Sequence, residues 1–232
     1  MIGIIGAGNM GKAIALGIHQ RIFITDLDLK RLRSVKNRRI LACKDNIDLA
    51  KRSKVIILAV KPQHIRVVLQ EIKPYVKNSL IISIAAGIET GLIEKILGKV
   101  RVVRVMPNMP LLVGRAISGI TPGRFAGKKD LGMARRIFLK LGKVVELKEH
   151  LMDAVTAVSG SGPAYYFLFT DILEKAARSC GLKNPLARKL AMATFIGAAA
   201  SADATGISMH DFVKKVASKG GTTEAALKVF KQ

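Results

Sequence analysis

A chain of 232 residues, half of them hydrophobic, carries enough apolar side chain to bury a core, which excludes a disordered chain and fits one large domain or two modest ones. Its 39 lysines and arginines against 16 aspartates and glutamates give a net charge of +23, and +19 of that charge falls before residue 151. Such a surface attracts anions in general. Aromatics are only 5% of the chain, however, tryptophan is absent, and no zinc-finger spacing, aromatic RNP-like motif or unbroken basic tail occurs, so specific nucleic-acid binding is not expected.

From residue 1 to about 148, short apolar runs rich in β-branched residues alternate with helical patterns, the mark of βαβ units. The predicted strands are Met1 to Ile5, Ile22 to Thr25, Arg39 to Ala42, Lys54 to Ala59, Leu80 to Ile84, Arg101 to Met106, Ala116 to Ile120 and Gly142 to Leu147. Runs such as Val55-Ile-Ile-Leu-Ala-Val60 are apolar on both faces, as parallel strands covered by helices on both sides must be. A Rossmann-like, doubly wound α/β sheet follows for residues 1–150.

Beyond Glu149 no strand run remains. Two Ala-, Leu- and Met-rich stretches, Pro163 to Cys180 and Pro185 to Ala204, predict an all-helical domain over residues 151–232. The second stretch is apolar nearly all round, which calls for burial on every side. A unit of about 80 residues covers such a helix poorly alone, so the pattern points to a subunit interface.

The first chemical motif is Gly6-Ala-Gly8-Asn-Met-Gly11, directly after the first strand and opening a helix. The first glycine permits a tight turn, the second lets the backbone approach a pyrophosphate, and the third allows close helix-to-strand packing. Its position at the start of a βαβ series favours dinucleotide binding through Gly6, Ala7, Gly8, Asn9, Met10 and Gly11 over a purely structural turn. Asp26 ends the second strand, where an acidic side chain accepts hydrogen bonds from the adenosine ribose and favours NADH; its other reading is a helix N-cap. Asp28 adds repulsion for a 2′-phosphate, yet Lys30, Arg31 and Arg33 are close enough to supply an anion site, so NAD and NADP both remain open. Ligands of such sheets lie at the carboxyl ends of the strands, which adds Ala59, Val60, Lys61, Pro62, Ala85 and Gly87 as cofactor contacts. Met106-Pro-Asn108-Met-Pro110 forms a proline-stiffened loop after the sixth strand.

Cys43 and Cys180 are single and far apart, so neither a disulfide framework nor a metal site is expected. The amino terminus lacks the pattern of a signal peptide, and the longest uncharged apolar run, Leu190 to Ala202, is too short to span a bilayer. A cytoplasmic location without membrane insertion is the expectation.

Ser159-Gly-Ser-Gly-Pro163 reads as an interdomain hinge with Pro163 in the first turn of a helix. It is a poor hydrolase elbow, because Ser161 has Ser159 and Pro163 where glycines belong. Gly220-Gly-Thr-Thr223 reads either as a helix stop and cap or as a carboxylate nest.

Together with Leu58-Ala-Val-Lys-Pro-Gln63, Ser83-Ile-Ala-Ala-Gly87, Arg104-Val-Met-Pro-Asn-Met-Pro110 and the run Asp153 to Tyr165, these motifs resemble pyrroline-5-carboxylate reductase from residue 2 to about 230. The Ser159 to Tyr165 run and the late Gly-Gly-Thr-Thr are the discriminating ones. The resemblance implies NAD(P)H-dependent reduction of 1-pyrroline-5-carboxylate to L-proline, the last step of proline biosynthesis. It implies a homodimer, or a higher assembly, built through the helical domain. It also implies that the turn, supplied across the dimer interface, holds the substrate carboxylate through Gly221, Thr222 and Thr223 beside Ser218, with Thr223 hydrogen-bonding the ring nitrogen. Asn46 matches a family residue near the adenosine ribose; a helix N-cap is its other reading.

The chain departs from the family at Lys214-Lys-Val-Ala-Ser-Lys219, where Lys219 replaces a proline and loosens the turn. The family also continues past the position of Gln232, so either the chain is shortened or the dimer is built differently. Two rivals stand beside this reading: another β-hydroxyacid-type dehydrogenase, whose catalytic lysine motif finds no place here, and a dinucleotide-binding protein that has lost turnover.

Overall fold

The computed structural model describes residues 1–35 and 37–230. All eight predicted strands form: β1 (Ile2–Ile5), β2 (Ile22–Thr25), β3 (Ile40–Ala42), β4 (Val55–Leu58), β5 (Leu80–Ser83), β6 (Arg101–Met106), β7 (Ala116–Pro122) and β8 (Gly142–Glu146). Predicted end residues Met1, Arg39, Lys54, Ala59, Ile84 and Leu147 lie just outside their strands, and β7 runs on to Pro122. The strands make one sheet in the order β3-β2-β1-β4-β5-β6-β7-β8. Every pairing is parallel except β6 with β7. That reversal has a simple cause. Only residues 107–115 connect β6 to β7, fewer than a crossover between parallel neighbours requires.

Helices α1 (Asn9–Gly17), α2 (Leu29–Val35), α3 (Asn46–Arg52), α4 (Ile65–Ile72), α5 (Thr90–Leu97) and α6 (Lys128–Leu139) complete the crossovers. The two-residue period of the strands sends alternate side chains to opposite faces. Ile2, Ile4, Val55, Ile57 and Val103 pack with Ile14 of α1 and with Ala134 and Phe138 of α6. Ile5, Ile56, Leu58, Ile81 and Val102 pack with Leu49 of α3, Ile65 and Leu69 of α4 and Ile93 of α5. Two apolar layers thus sandwich the sheet, each fully buried side chain contributing about 1.5–3 kcal/mol. The neighbours β1 and β4 mark the point where strand order reverses, so the chain leaves them in opposite directions and a crevice opens beyond their carboxyl ends.

After β8 the chain passes a 3-10 turn at Glu149–Leu151, α7 (Met152–Val155) and a π-helical turn at Thr156–Gly160 before α8 (Gly162–Ser179) begins. The chain divides into two compact units, Met1–Pro163 and Ala164–Gln232. Beyond α8, the second unit contains α9 (Asn184–Thr205), α10 (Met209–Val216) and α11 (Thr222–Phe230) and, among its described residues, no strand. Lys231 and Gln232, the end of the predicted helical segment, lie outside the described residues.

Pro185 occupies the first turn of α9, where its missing N–H has no intrahelical partner to lose, and Gly206 ends the helix in the left-handed conformation. Ser208 caps α10 by accepting from the Asp211 N–H at 3.1 Å. Tyr166 meets Phe195 and Phe169 meets Phe230, with ring centroids 6.0 and 5.8 Å apart, which joins α8 to α9 and to α11. Within one chain α9 buries only Ala187 and Ala191. Leu186, Leu190, Met192 and Ile196 are exposed, so the chain itself does not supply the all-round burial that their composition predicts. No helix among the described residues is long and apolar enough to cross a membrane.

Candidate functional site

The glycine loop follows from the close passage of β1 and β4. Gly6 stands at φ +104°, in the left-handed region, and a Cβ there would approach the Ala59 carbonyl oxygen to 2.6 Å. Its N–H donates to the Thr25 carbonyl at 2.8 Å, binding the turn to β2. A Cβ on Gly11 would fall on the Gly6 carbonyl oxygen, so the first turn of α1 can lie on the loop only without one. Gly8 differs. It lines a cavity, and a Cβ there would meet no protein atom within 4 Å. Protein packing therefore does not require glycine at this position, and its backbone is open to the cavity. Gly8 caps α1 with no side-chain bond, which leaves the helix's first N–H groups for an anion.

The cavity lies at the carboxyl ends of the central strands and measures about 780 Å³, within the range of nucleotide-sized pockets. Of the residues read as cofactor contacts, Gly6, Gly8, Asn9, Met10, Asp26, Asn46, Ala59, Val60, Lys61, Pro62 and Ala85 line it. Ala7, Gly11 and Gly87 do not: Ala7 and Gly11 are buried behind the loop, and Gly87 makes an exposed left-handed turn beyond Ala86. Sequence reading missed the far wall, formed by His64, Val67, Val68 and Glu71 at the start of and along α4. The available signal was Val67, an apolar side chain left exposed on a helix whose buried face is Ile65, Val68, Leu69 and Ile72.

The cap of α2 is Asp28, not Asp26. The Asp26 Oδ2 accepts from the Ala7 N–H at 2.6 Å, and its Oδ1 accepts from the Asp28 N–H at 2.8 Å. Asp28 rather than Asp26 serves the start of α2, its Oδ1 accepting from the N–H groups of Lys30 and Arg31. Its other oxygen is 3.3 Å from the Arg31 Nε. At α3 the N-cap is Asp45, which accepts from the Asp48 N–H at 2.7 Å. Asn46 is therefore not the cap; its Nδ2 donates to Glu71 Oε2 on α4 at 2.7 Å. Lys61 is exposed on the rim, where it precedes the 3-10 turn begun by Pro62.

A second set of motif residues meets in the same unit. Asn108, buried in the loop after β6, donates from Nδ2 to the Ser159 carbonyl at 3.1 Å and accepts at Oδ1 from the Ile117 N–H at 3.0 Å. The proline-stiffened loop is thereby fastened to the π-helical turn that begins the Ser-Gly-Ser-Gly-Pro run. Arg104, also buried, lies 3.6 Å from Glu149 and 3.5 Å from Asp153.

In the helical unit, Gly220 takes φ +73° and its N–H donates to Glu224 Oε2 at 2.6 Å. The Gly221 N–H donates to the Ser218 carbonyl at 3.1 Å. Among the described residues, the N–H groups of Thr222 and Thr223 and the Thr223 hydroxyl have no hydrogen-bond partner. They stand at the N-terminus of α11, where the helix dipole favours an anion. A turn of this kind can bind a carboxylate, with Lys219 exposed beside it.

Residues 149–232 match the family described as pyrroline-5-carboxylate reductase dimerisation. Residues 1–87 match the family described as NADP oxidoreductase coenzyme F420-dependent. The chain is 38% identical to pyrroline-5-carboxylate reductase of Corynebacterium melassecola, over 98% of this chain and 88% of the relative. It is 39% identical to that of Methanosarcina acetivorans, over 96% and 86% respectively. Among solved structures, the pyrroline carboxylate reductase of Plasmodium falciparum, determined with NADP bound, superposes with a TM-score of 0.90 at 31% identity, covering 99% of this chain and 88% of that one. Prephenate dehydrogenase of A. aeolicus, at 19% identity and a TM-score of 0.58 over 74% of this chain and 68% of that one, shares the fold alone.

Proposed function

Since the chain belongs to the pyrroline-5-carboxylate reductase family, we propose that it reduces 1-pyrroline-5-carboxylate to L-proline with NADH or NADPH, the last step of proline biosynthesis. The nicotinamide supplies a hydride to the imine carbon when the dinucleotide is bound. The chain's own residues bind and orient. Gly6, Gly8, Asn9 and Met10 cradle the pyrophosphate at the start of α1, Asp26 and Asn46 take the adenosine ribose, and Ala59 to Pro62 with Ala85 line the rest of the groove.

The substrate carboxylate rests on the turn before α11. Thr222 and Thr223 offer their backbone N–H groups, and the Thr223 hydroxyl serves the ring nitrogen. The Gly221 N–H is already given to Ser218, so Gly221 contributes its backbone conformation and Ser218 holds the turn closed. Because the protonated imine is already electrophilic, positioning supplies most of the rate, and no side chain is assigned as general acid.

The observation that carries this reading is the unspent set of donors at Thr222 and Thr223, found in the segment that discriminates the family from other dinucleotide enzymes. The exposed apolar side chains of α8 and α9 support a homodimer through the helical unit. Two free cysteines support a reducing, cytoplasmic setting. The basic surface is read as solvated, without a specific nucleic-acid partner.

The test is oxidation of NADH and of NADPH on addition of 1-pyrroline-5-carboxylate, with Thr223→Ala alongside. Imine-dependent oxidation that the variant loses supports the reductase reading. Dinucleotide binding without turnover turns the assignment toward a nonenzymatic binding protein.

A further inference from the structure

We infer that the adenosine end of the cavity selects NADH over NADPH, through the carboxylates of Asp26, Asp28 and Glu71. This rests on the dinucleotide reading of the cavity and deepens it. In this fold the pyrophosphate lies at the start of α1 and the adenosine ribose at the end of β2, where Asp26 stands.

Asp26 is fixed. Both of its oxygens already accept a backbone N–H, one from the glycine loop and one from the turn toward α2. Each oxygen keeps a lone pair, so the carboxylate can accept from ribose hydroxyls, but it cannot swing away from a phosphate without releasing the loop. A 2′-phosphate brings about two negative charges to this place.

The neighbouring groups add to the discrimination. Asp28 and Glu71 line the same cavity. Arg31, the cation best placed to receive a phosphate, is paired with Asp28, whose carboxylate also holds the first N–H groups of α2. Lys61 follows β4, and β4 is two strand positions from β2, or about 10 Å across the sheet. Glu71 acts on the ribose side a second way. By accepting from Asn46 Nδ2 it takes up one donor of that amide, so Oδ1 and a single N–H remain. A remaining donor beside an acceptor suits a ribose hydroxyl, which both donates and accepts, better than a phosphate, which only accepts.

The test is calorimetric titration of the full chain with NADH and NADPH in roughly 0.3 M salt, which screens the general attraction of a +23 chain for the more highly charged nucleotide. NADH is expected to bind at least about tenfold more tightly. Asp28→Ser keeps a hydroxyl to cap α2 while releasing Arg31, and Glu71→Gln keeps an acceptor for Asn46 while removing the charge. Each is expected to raise NADPH affinity several-fold with a smaller change for NADH. Equal or tighter binding of NADPH by the unmodified chain overturns the inference, as does an NADH preference that neither substitution reduces. If NADH binds preferentially but the imine is not reduced with either cofactor, the reductase reading fails and the selectivity stands. If neither dinucleotide binds, both fail.

Discussion

Glu149 holds Thr90 twice: one carboxylate oxygen accepts from the Thr90 N–H at 2.8 Å and the other from its hydroxyl at 2.7 Å. The same carboxylate lies 3.6 Å from the buried Arg104, so a single side chain caps α5 and helps neutralise a guanidinium on β6. Glu149→Ala leaves Arg104 with Asp153 alone and removes both partners of Thr90. Since Glu149 is itself partly exposed, the expected loss is about 2–4 kcal/mol, below the upper range for a broken buried pair. Urea unfolding of the variant against the parent measures it; a change smaller than about 0.5 kcal/mol rejects this role for the pair.

The three glycines of the loop are expected to separate in behaviour. Gly11→Ala forces a methyl onto the Gly6 carbonyl oxygen, and Gly6→Ala strains a positive φ against Ala59. Both should lower the melting temperature and weaken dinucleotide binding together. Gly8→Ala meets no protein atom, so its melting temperature should stay near that of the parent while nucleotide affinity falls by about tenfold or more. A Gly8→Ala protein that binds normally would remove the steric basis for pyrophosphate at this position.

Much of this arrangement is legible in sequence, because parallel strands covered on both faces are written as continuous apolar runs. Val55 to Leu58 shows it, and the glycine loop announces itself through its place after β1. The division of labour among acidic side chains is not legible. Asp26 fits a ribose acceptor or a helix cap, and only the path of the turn puts Asp28 instead over the N–H groups of α2. Asn46 and Glu71 are 25 residues apart, and no local pattern announces a bond that depends on the packing of α3 beside α4. The antiparallel β7 was within reach of sequence, since the short link from β6 forbids a crossover. The π-helical turn was not, because Ser159-Gly160 marks a break in the helix without saying that the break takes π geometry.

The two thiols should react differently. Burial, reinforced by the nearby Asp48 carboxylate, pushes the Cys43 thiol up to about 11 from its ordinary value near 9. Its folded pKa is raised, so the stabilising contribution is complete below pH 9 and is lost as pH rises toward 11. At pH 8 iodoacetamide is expected to leave Cys43 unmodified in the native protein and to label it after denaturation. Peptide mapping by mass spectrometry checks this, and rapid native labelling of Cys43 contradicts its burial.

Ile196 lies exposed on α9 among other apolar side chains. Ile196→Glu introduces a charge where a second copy of the chain would pack, and light scattering is expected to show monomer in place of dimer. Turnover should fall with the dimer while NADH binding persists, because the Rossmann-like unit keeps its own core. A variant that remains dimeric places the subunit contact elsewhere.

The bond from the Ala7 N–H to Asp26 lies within the protein and ties the glycine loop to the end of β2. A substitution at Asp26 therefore removes a support of the loop together with a charge on the cavity wall, and the two losses reach nucleotide binding by different routes.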